Sequence, residues 1–127
     1  MAYPKDYKYT KEHEWIQVNG NTGTVGITSH AQESLGDIVF VELPAVGTLV
    51  QAGNTFGTVE SVKAVSDLYA PASGKVVAVN DALNQTPENV NKDAHGAWMI
   101  KIELSNPGET NALLSADDYE KYIAEEK

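Results

Sequence analysis

The chain contains no cysteine among its 127 residues. Disulfide frameworks, cysteine-ligated zinc or iron–sulfur sites and thiol nucleophiles all require at least one thiol. These classes of site are therefore excluded, and the polypeptide cannot exchange electrons through thiols of its own.

Basic residues are also scarce, with 9 Lys plus Arg against 18 Asp plus Glu and a net charge of −9. Phosphate backbones and anionic lipid surfaces attract clustered positive charge, and no run of lysines or arginines occurs here. The composition therefore predicts neither a nucleic-acid partner nor a membrane-surface partner.

Long apolar runs are missing as well, since no stretch approaches the roughly 20 residues that span a bilayer. The first eight residues, M-A-Y-P-K-D-Y-K, contain neither an apolar signal core nor an Arg-rich leader. We expect a cytoplasmic, bacterial-type protein, or a mitochondrial matrix protein if an upstream leader was removed. The length fits one domain, residues 1–127.

Short segments rich in Val, Ile, Thr and aromatic residues alternate with Gly and Pro, which is typical of half-buried strands separated by turns. This pattern predicts a mostly antiparallel β domain with helices at its margin. The predicted strands are Trp15 to Val18, Thr22 to Thr28, Ile38 to Leu43, Thr48 to Gln51, Asn54 to Ser61, Ser66 to Tyr69, Lys75 to Asn80 and Trp98 to Leu104.

Helical signals occur at three places, the last two of them in one C-terminal segment. A short helix is predicted to end at Leu35, with Thr28 or Ser29 as its cap. A C-terminal helical segment is predicted over about 106–126, where Asn106 caps a first part and Ser115 a second. One face of the second part carries Tyr119, Tyr122 and Ile123.

Catalytic and metal-binding motifs are not found. The chain has no phosphate loop, no dinucleotide fingerprint and no G-x-S-x-G. His13, His30 and His95 have no i, i+4 spacing that would place two imidazoles on one helix face, so ordinary surface or hydrogen-bonded histidines are expected.

The segment from Thr55 to Pro71 is too long for one average strand, yet no Gly, Pro or Asn marks its middle. A type I turn accepts most residues, so the chain can reverse around Val62-Lys63-Ala64 and place Lys63 at the tip of a hairpin. A long exposed strand with a solvated lysine is the alternative, and the local pattern leaves both open.

Glu60-Ser61-Val62-Lys63-Ala64, followed by Ser66-Asp67 and Ala70-Pro71-Ala72-Ser73-Gly74, resembles the lipoyl-attachment site of the glycine cleavage system H-protein family. Further matching blocks cover nearly the whole chain in the same order. They are Tyr9 to Trp15, Val25 to Thr28, Ala31 to Glu33, Leu35 to Pro44, Val46-Gly47, Val79-Asn80 and Trp98 to Ile102.

The resemblance implies a lipoyl-domain-type β-sandwich, or hybrid barrel, with short peripheral and C-terminal helices. It implies lipoate bound through an amide to Lys63, in a carrier subunit that is not itself an enzyme. The implied partners are lipoyl-attaching enzymes, glycine decarboxylase with pyridoxal phosphate, an aminomethyltransferase with tetrahydrofolate, and dihydrolipoamide dehydrogenase with FAD. The carried group is the aminomethyl group of glycine.

Four further residues are candidates within this resemblance. Glu60 and Gly74 match positions used when attachment enzymes recognise the hairpin, although Gly74 is expected to serve only the backbone conformation of a turn. Glu14 and Asp67 are candidates for a cleft whose carboxylates hold the ammonium of the carried group and limit its hydrolysis. An ordinary surface acid is the alternative for Glu14.

Two other functions remain to be distinguished. An H-like protein can pass lipoyl groups on to 2-oxo acid dehydrogenases, and an unmodified interaction module would never acquire an adduct on Lys63.

Overall fold

The computed structural model describes residues 3–125, and the strands in this part of the chain form two sheets in which all pairings are antiparallel. The strands are β1 (Lys8–Tyr9), β2 (Glu14–Asn19), β3 (Thr22–Ile27), β4 (Ile38–Glu42), β5 (Leu49–Val50), β6 (Thr55–Ser61), β7 (Val65–Tyr69), β8 (Gly74–Val79) and β9 (Ile100–Leu104). The first sheet has the order β1-β2-β3-β9-β8-β5, and the second has the order β4-β6-β7.

Short helices connect and flank the sheets. They are α1 (Ser29–Leu35), α2 (Ala82–Gln85), α3 (Asn89–Lys92), a 3-10 helix (Pro107–Ala112) and α4 (Ala116–Glu125). The predicted fold class, a mainly β lipoyl-domain-type sandwich with peripheral helices, is confirmed.

The main core is aliphatic, and both sheets contribute to it. In β9 the side chains of Ile100, Ile102 and Leu104 are buried, whereas the intervening Lys101 and Glu103 face outward. This alternation follows from the two-residue period of a strand. Each fully buried aliphatic side chain contributes about 1.5–3 kcal/mol relative to an exposed one.

A second, aromatic cluster joins the N-terminal segment to α4. Tyr9 stacks on Tyr119 with ring centroids 4.9 Å apart, and Trp15 is buried in the same cluster. Tyr122 and Ile123 pack against this cluster, so the predicted apolar face of the last helix is confirmed.

All eight predicted strands are confirmed to within about two residues at most ends, as is the helix before Gly36, in which the Thr28 hydroxyl accepts a hydrogen bond from Ala31 N. Strand β1 and helices α2 and α3 were not predicted. They contain two to four residues each, too few for a periodic pattern to show.

The predicted side-chain cap at Asn106 is wrong. Asn106 precedes the 3-10 helix but makes no capping hydrogen bond with its side chain. Glu109 instead accepts hydrogen bonds from Ser73 N, at 2.7 Å, and from Ser73 Oγ, at 3.3 Å, so its carboxylate ties the helix to the loop before β8. In contrast, Ser115 Oγ does accept a hydrogen bond from Asp118 N, as a cap of α4. The predicted helix end at Glu126 lies outside the described residues.

Between residues 3 and 125, the helices are too short or too polar to cross a membrane.

Candidate functional site

Lys63 lies in the turn between β6 and β7. The β6–β7 pairing ends at Glu60 and Val65, and Ser61 N donates a hydrogen bond to Ala64 O across the turn, at 2.8 Å. Ser61 Oγ also accepts hydrogen bonds from Lys63 N and Ala64 N, each at 3.1 Å. One serine therefore supplies the acceptor that the two turn amides need, and the backbone of Lys63 is fixed.

The side chain of Lys63 is exposed. A Cβ built on Gly36 would lie 3.5 Å from Lys63 Cε, so the aliphatic stem of the lysine passes beside this glycine. No residue in the range 3–125 pairs with the Lys63 ammonium through a hydrogen bond or an ion pair. The amine is therefore open to a partner molecule.

Exposed apolar side chains surround the lysine. Val62 and Val65, on either side of it, are 67% and 65% exposed. Phe40, Glu60 and Val65 are direct neighbours across β4, β6 and β7, so their side chains share the outer face of the three-stranded sheet. We call Val39, Phe40, Glu60, Val62 and Val65 the hairpin surface. It combines exposed apolar area with one carboxylate, on the last β6–β7 pair before the lysine turn.

Glu14 lies in a very different environment, 2% exposed at the start of β2. Thr10 Oγ1 donates a hydrogen bond to Glu14 Oε1 at 2.7 Å, and Tyr69 N donates one to Glu14 Oε2 at 3.2 Å. Burial raises the pKa of Glu14 to about 8, although the two hydrogen bonds oppose the rise and Glu12 adds slightly to it. The carboxyl group is therefore mostly protonated at pH 7.

A cleft of about 280 Å³ opens next to the groups that bind Glu14. Thr10 lines it, and so does Ala70, which follows Tyr69. Strand β7 runs from the lysine turn to Tyr69, and its four residue steps span about 13 Å. The other lining residues are Tyr9, Lys11, Glu12, Ala52, Gly53, Pro71, Ala112, Leu113 and Leu114.

Asp67 is not part of this arrangement. It is exposed on β7, opposite Thr58, on the same outer face as Phe40 and Glu60. Within residues 3–125, Asp67 forms no hydrogen bond with Glu14 or with any residue that lines the cleft. The structure thus separates the two carboxylates that the sequence grouped together.

Gly74 begins β8, which belongs to the six-stranded sheet rather than to the sheet of the hairpin. The expected turn conformation is wrong, because Gly74 does not have a left-handed φ. A Cβ at this position would collide with the carbonyl oxygen of Glu103 on β9. The glycine is therefore required by the close approach of two strands.

Two residues of the site were missed by sequence reasoning. Ser61 carried a usable signal, because serine hydroxyls often accept hydrogen bonds from backbone amides two residues later in turns. Thr10 carried none, since its bond to Glu14 depends on a loop in which His13 takes a left-handed φ of 74°.

The histidines make ring contacts and hydrogen bonds with neighbouring residues. His13 and His30 lie in ring contact, with centroids 4.7 Å apart, and His95 Nε2 accepts a hydrogen bond from Ser29 N at 3.2 Å. Burial lowers the pKa of His95, although Asp93 opposes this shift. In the described part of the chain, no three His, Cys, Asp or Glu residues are placed to hold a metal ion.

The chain is similar to known proteins over nearly its whole length. The family model described as "Glycine cleavage H-protein" matches residues 7–126. The glycine cleavage system H protein of Koribacter versatilis is 68% identical over 126 residues, which cover 99% of this chain and 98% of that protein. The H protein of Carboxydothermus hydrogenoformans is 61% identical over 124 residues, covering 97% and 95%.

A solved structure is also similar to this chain. The crystal structure of a glycine cleavage system H protein from Mycobacterium marinum superposes with a TM-score of 0.85 at 43% sequence identity. The match covers 97% of this chain and 98% of the solved one.

Proposed function

The chain belongs to the glycine cleavage H-protein family, and from that premise we propose that it is a single carrier domain, residues 1–127, that bears lipoate on Lys63. The observation that carries this proposal is the exposed side chain of Lys63, whose ammonium has no hydrogen-bond or ion-pair partner within residues 3–125. It lies in a hydrogen-bonded turn within the sequence E-S-V-K-A.

The residues around Lys63 fit such a group. Once the Lys63 ammonium has lost one proton, its amine would displace the activating group from the carboxyl of lipoate, and the new amide nitrogen would release a second proton. Bound lipoate supplies a reversible disulfide to a chain that has no cysteine. The backbone bonds to Ser61 hold the attachment point in place without occupying the amine.

Glu60 is proposed to be read by the lipoyl-attaching enzyme. Its side chain is half-buried and lies between Phe40 and Val65 on the hairpin surface. A carboxylate set in apolar area next to the target amine gives a partner both an orientation and a charge to recognise. Gly74 acts through the fold of β8 and makes no contact with the hairpin surface in this proposal.

Glu14 is proposed to hold the ammonium of the aminomethyl group. A carboxylate has about four acceptor positions, and the bonds from Thr10 and Tyr69 use two of them. An ammonium that enters the cleft stabilises the ionised form of Glu14 and receives a charge-assisted hydrogen bond in a site with little water. Asp67, on the outer face of β7, contributes at most a longer-range attraction.

Attachment of lipoate requires a separate enzyme in this proposal, because within residues 3–125 no side chain hydrogen-bonds to the Lys63 amine to take its proton. The carrier role then requires three partner enzymes. Glycine decarboxylase, with pyridoxal phosphate, supplies the aminomethyl group. The aminomethyltransferase passes its carbon to tetrahydrofolate and releases ammonia, and dihydrolipoamide dehydrogenase, with FAD, restores the disulfide using NAD. The chain itself is proposed to have no enzyme activity.

A cytoplasmic location is proposed because the relatives named above are bacterial.

Exchange of labelled bicarbonate into glycine by purified glycine decarboxylase tests the carrier function. We expect exchange with the lipoylated chain and none with the unmodified chain. Lack of exchange with a lipoylated chain that donates lipoyl groups to a 2-oxo acid dehydrogenase would favour the relay function. Absence of any adduct on protein from its native source would favour the interaction module.

A further inference from the structure

The lysine hairpin is attached to the rest of the molecule at its tip. Beyond the last β4–β6 pair, Ile38 with Ser61, Val62 N donates a hydrogen bond to Asp37 O at 3.0 Å. The aliphatic stem of Lys63 passes beside Gly36 in the same segment. The turn 36–38, which leads from the end of α1 into the first residue of β4, therefore bonds to the backbone of the hairpin tip and lies beside the stem of its lysine.

One side chain from α3, that of Asn91, forms two hydrogen bonds with the backbone of the turn 36–38. Asn91 Oδ1 accepts a hydrogen bond from Ile38 N at 2.8 Å, and Asn91 Nδ2 donates one to Gly36 O, also at 2.8 Å. Only one orientation of the amide satisfies both bonds, because the reversed amide would place N–H against N–H and oxygen against oxygen. The two bonds flank Asp37, whose carbonyl receives the bond from the hairpin.

Gly36 shows why the turn needs such a contact. It follows α1 with a φ of 82°, and its N–H donates to Gln32 O at the end of the helix. Val39, just beyond the turn, is the extra residue of a β-bulge between Ile38 and Phe40. The register of the β4–β6 ladder shifts there, so the last pair, Ile38 with Ser61, is set apart from the regular part of the ladder.

We propose that Asn91 is a positioning residue for the lipoylation of Lys63, acting through the turn 36–38 on the hairpin tip. This inference rests on the proposed function and adds to it a residue outside the hairpin, 28 positions from the lysine. Without the two Asn91 hydrogen bonds, the hairpin tip samples more orientations. Only part of the population then presents the Lys63 amine in the orientation that the attaching enzyme binds. A partially populated competent state weakens apparent binding without changing the chemistry of the bound complex.

The first test follows the turn in the unmodified protein by amide hydrogen exchange. In Asn91→Ala we expect exchange at the Val62 amide to accelerate about tenfold, as expected for the loss of two hydrogen bonds at the turn. The amide of Met99, which bonds to Val25 O in the other sheet, is expected to keep its wild-type rate. Acceleration at both amides would indicate general destabilisation and would overturn the inference.

The second test measures lipoylation kinetics with a lipoate–protein ligase, ATP and lipoate, using the chain as the varied substrate. For Asn91→Ala we expect KM to rise about tenfold, while kcat stays within about twofold of wild type, because the competent fraction falls. Asn91→Asp keeps the acceptor for Ile38 N but sets a carboxylate oxygen against Gly36 O, so its KM is expected to rise at least as far as that of Asn91→Ala. If the alanine variant does not fold, Asn91→Asp replaces it in this assay.

Asn84→Ala is the matched control, because Asn84 is exposed on the neighbouring helix α2 and makes no side-chain hydrogen bond within residues 3–125. Its KM is expected to equal that of wild type. An unchanged KM in Asn91→Ala with a lipoylated wild type would overturn only this inference. A wild type that accepts no lipoate would refute the proposed function itself.

Discussion

The hairpin tip and the Glu14 site are opposite in character, although β7 connects them. At the tip, the backbone is fixed by Ser61 while the Lys63 amine is exposed and unpartnered among the described residues. At the other end of β7, the Glu14 carboxyl is buried and hydrogen-bonded to Tyr69 N. A group that must be reached by several enzymes needs access, whereas a group that holds a labile amine needs exclusion of water.

The largest expected effect tests the tip alone. Lys63→Arg keeps the positive charge but removes the primary amine, so we expect complete loss of lipoylation and of glycine–bicarbonate exchange. The urea midpoint of unfolding should be unchanged, because the side chain is exposed. Lys75→Arg, at another exposed lysine on β8, is the control and should remain fully active.

The second prediction concerns the buried Glu14 site and the dependence of the protein's stability on pH. The pKa of Glu14 in the folded chain, about 8, lies above its ordinary value of 4.5. Below pH 4.5 both states hold the proton, and between these two values the unfolded state binds fewer protons than the folded state. Glu14 therefore makes the protein lose stability as the pH rises from about 4.5 to 8, by on the order of a few kcal/mol.

Urea unfolding at several pH values checks this slope. Glu14→Gln has the shape of the protonated acid but cannot ionise, so its stability should fall less over the same pH interval. Identical pH dependence of the two proteins would show that Glu14 titrates as an ordinary exposed acid.

The third prediction returns to the hairpin surface. Glu60→Ala should fold normally but be lipoylated about thirtyfold less efficiently, as for loss of one charged contact at the centre of an interface. Glu42→Ala, one row away on the same outer face, provides the control and should be lipoylated at the wild-type rate. Normal loading of Glu60→Ala, measured by mass spectrometry, would remove Glu60 from the recognition site.

The smallest expected effects separate Glu14 from Asp67. The lifetime of the carried aminomethyl group in isolated protein should shorten about tenfold in Glu14→Gln, because a charge-assisted hydrogen bond is lost. In Asp67→Asn it should shorten less than about twofold, because an exposed charge is screened. Equal lifetimes in all three proteins would exclude a sheltering role for either carboxylate.

Strand pattern and family motifs predicted the sheets, the first helix and the position of Lys63, because each leaves a local signal of alternation, capping or spacing. Ser61 and the reversal at the hairpin were also within reach of local turn chemistry. A structural role was predicted for Gly74, but the reason for that role was not. The close approach of β9 to this glycine is a contact between distant parts of the chain, which no local pattern indicates.

No local sequence pattern indicates the hydrogen bonds of Asn91 to the turn 36–38 or the burial of Glu14. Asn91 meets residues 53 and 55 positions away, and Glu14 meets Tyr69 across 55 positions. In a sequence, a buried acid with two hydrogen-bond partners reads the same as a surface acid. Such contacts become visible only in the folded structure, where segments distant in sequence meet.

The mass of the intact protein from its native source, measured before and after chemical reduction, shows whether Lys63 carries lipoate. We expect a chain heavier by one lipoyl group on Lys63, and a gain of two hydrogens on reduction as the disulfide opens. A bare chain, or an adduct that reduction leaves unchanged, would contradict this expectation.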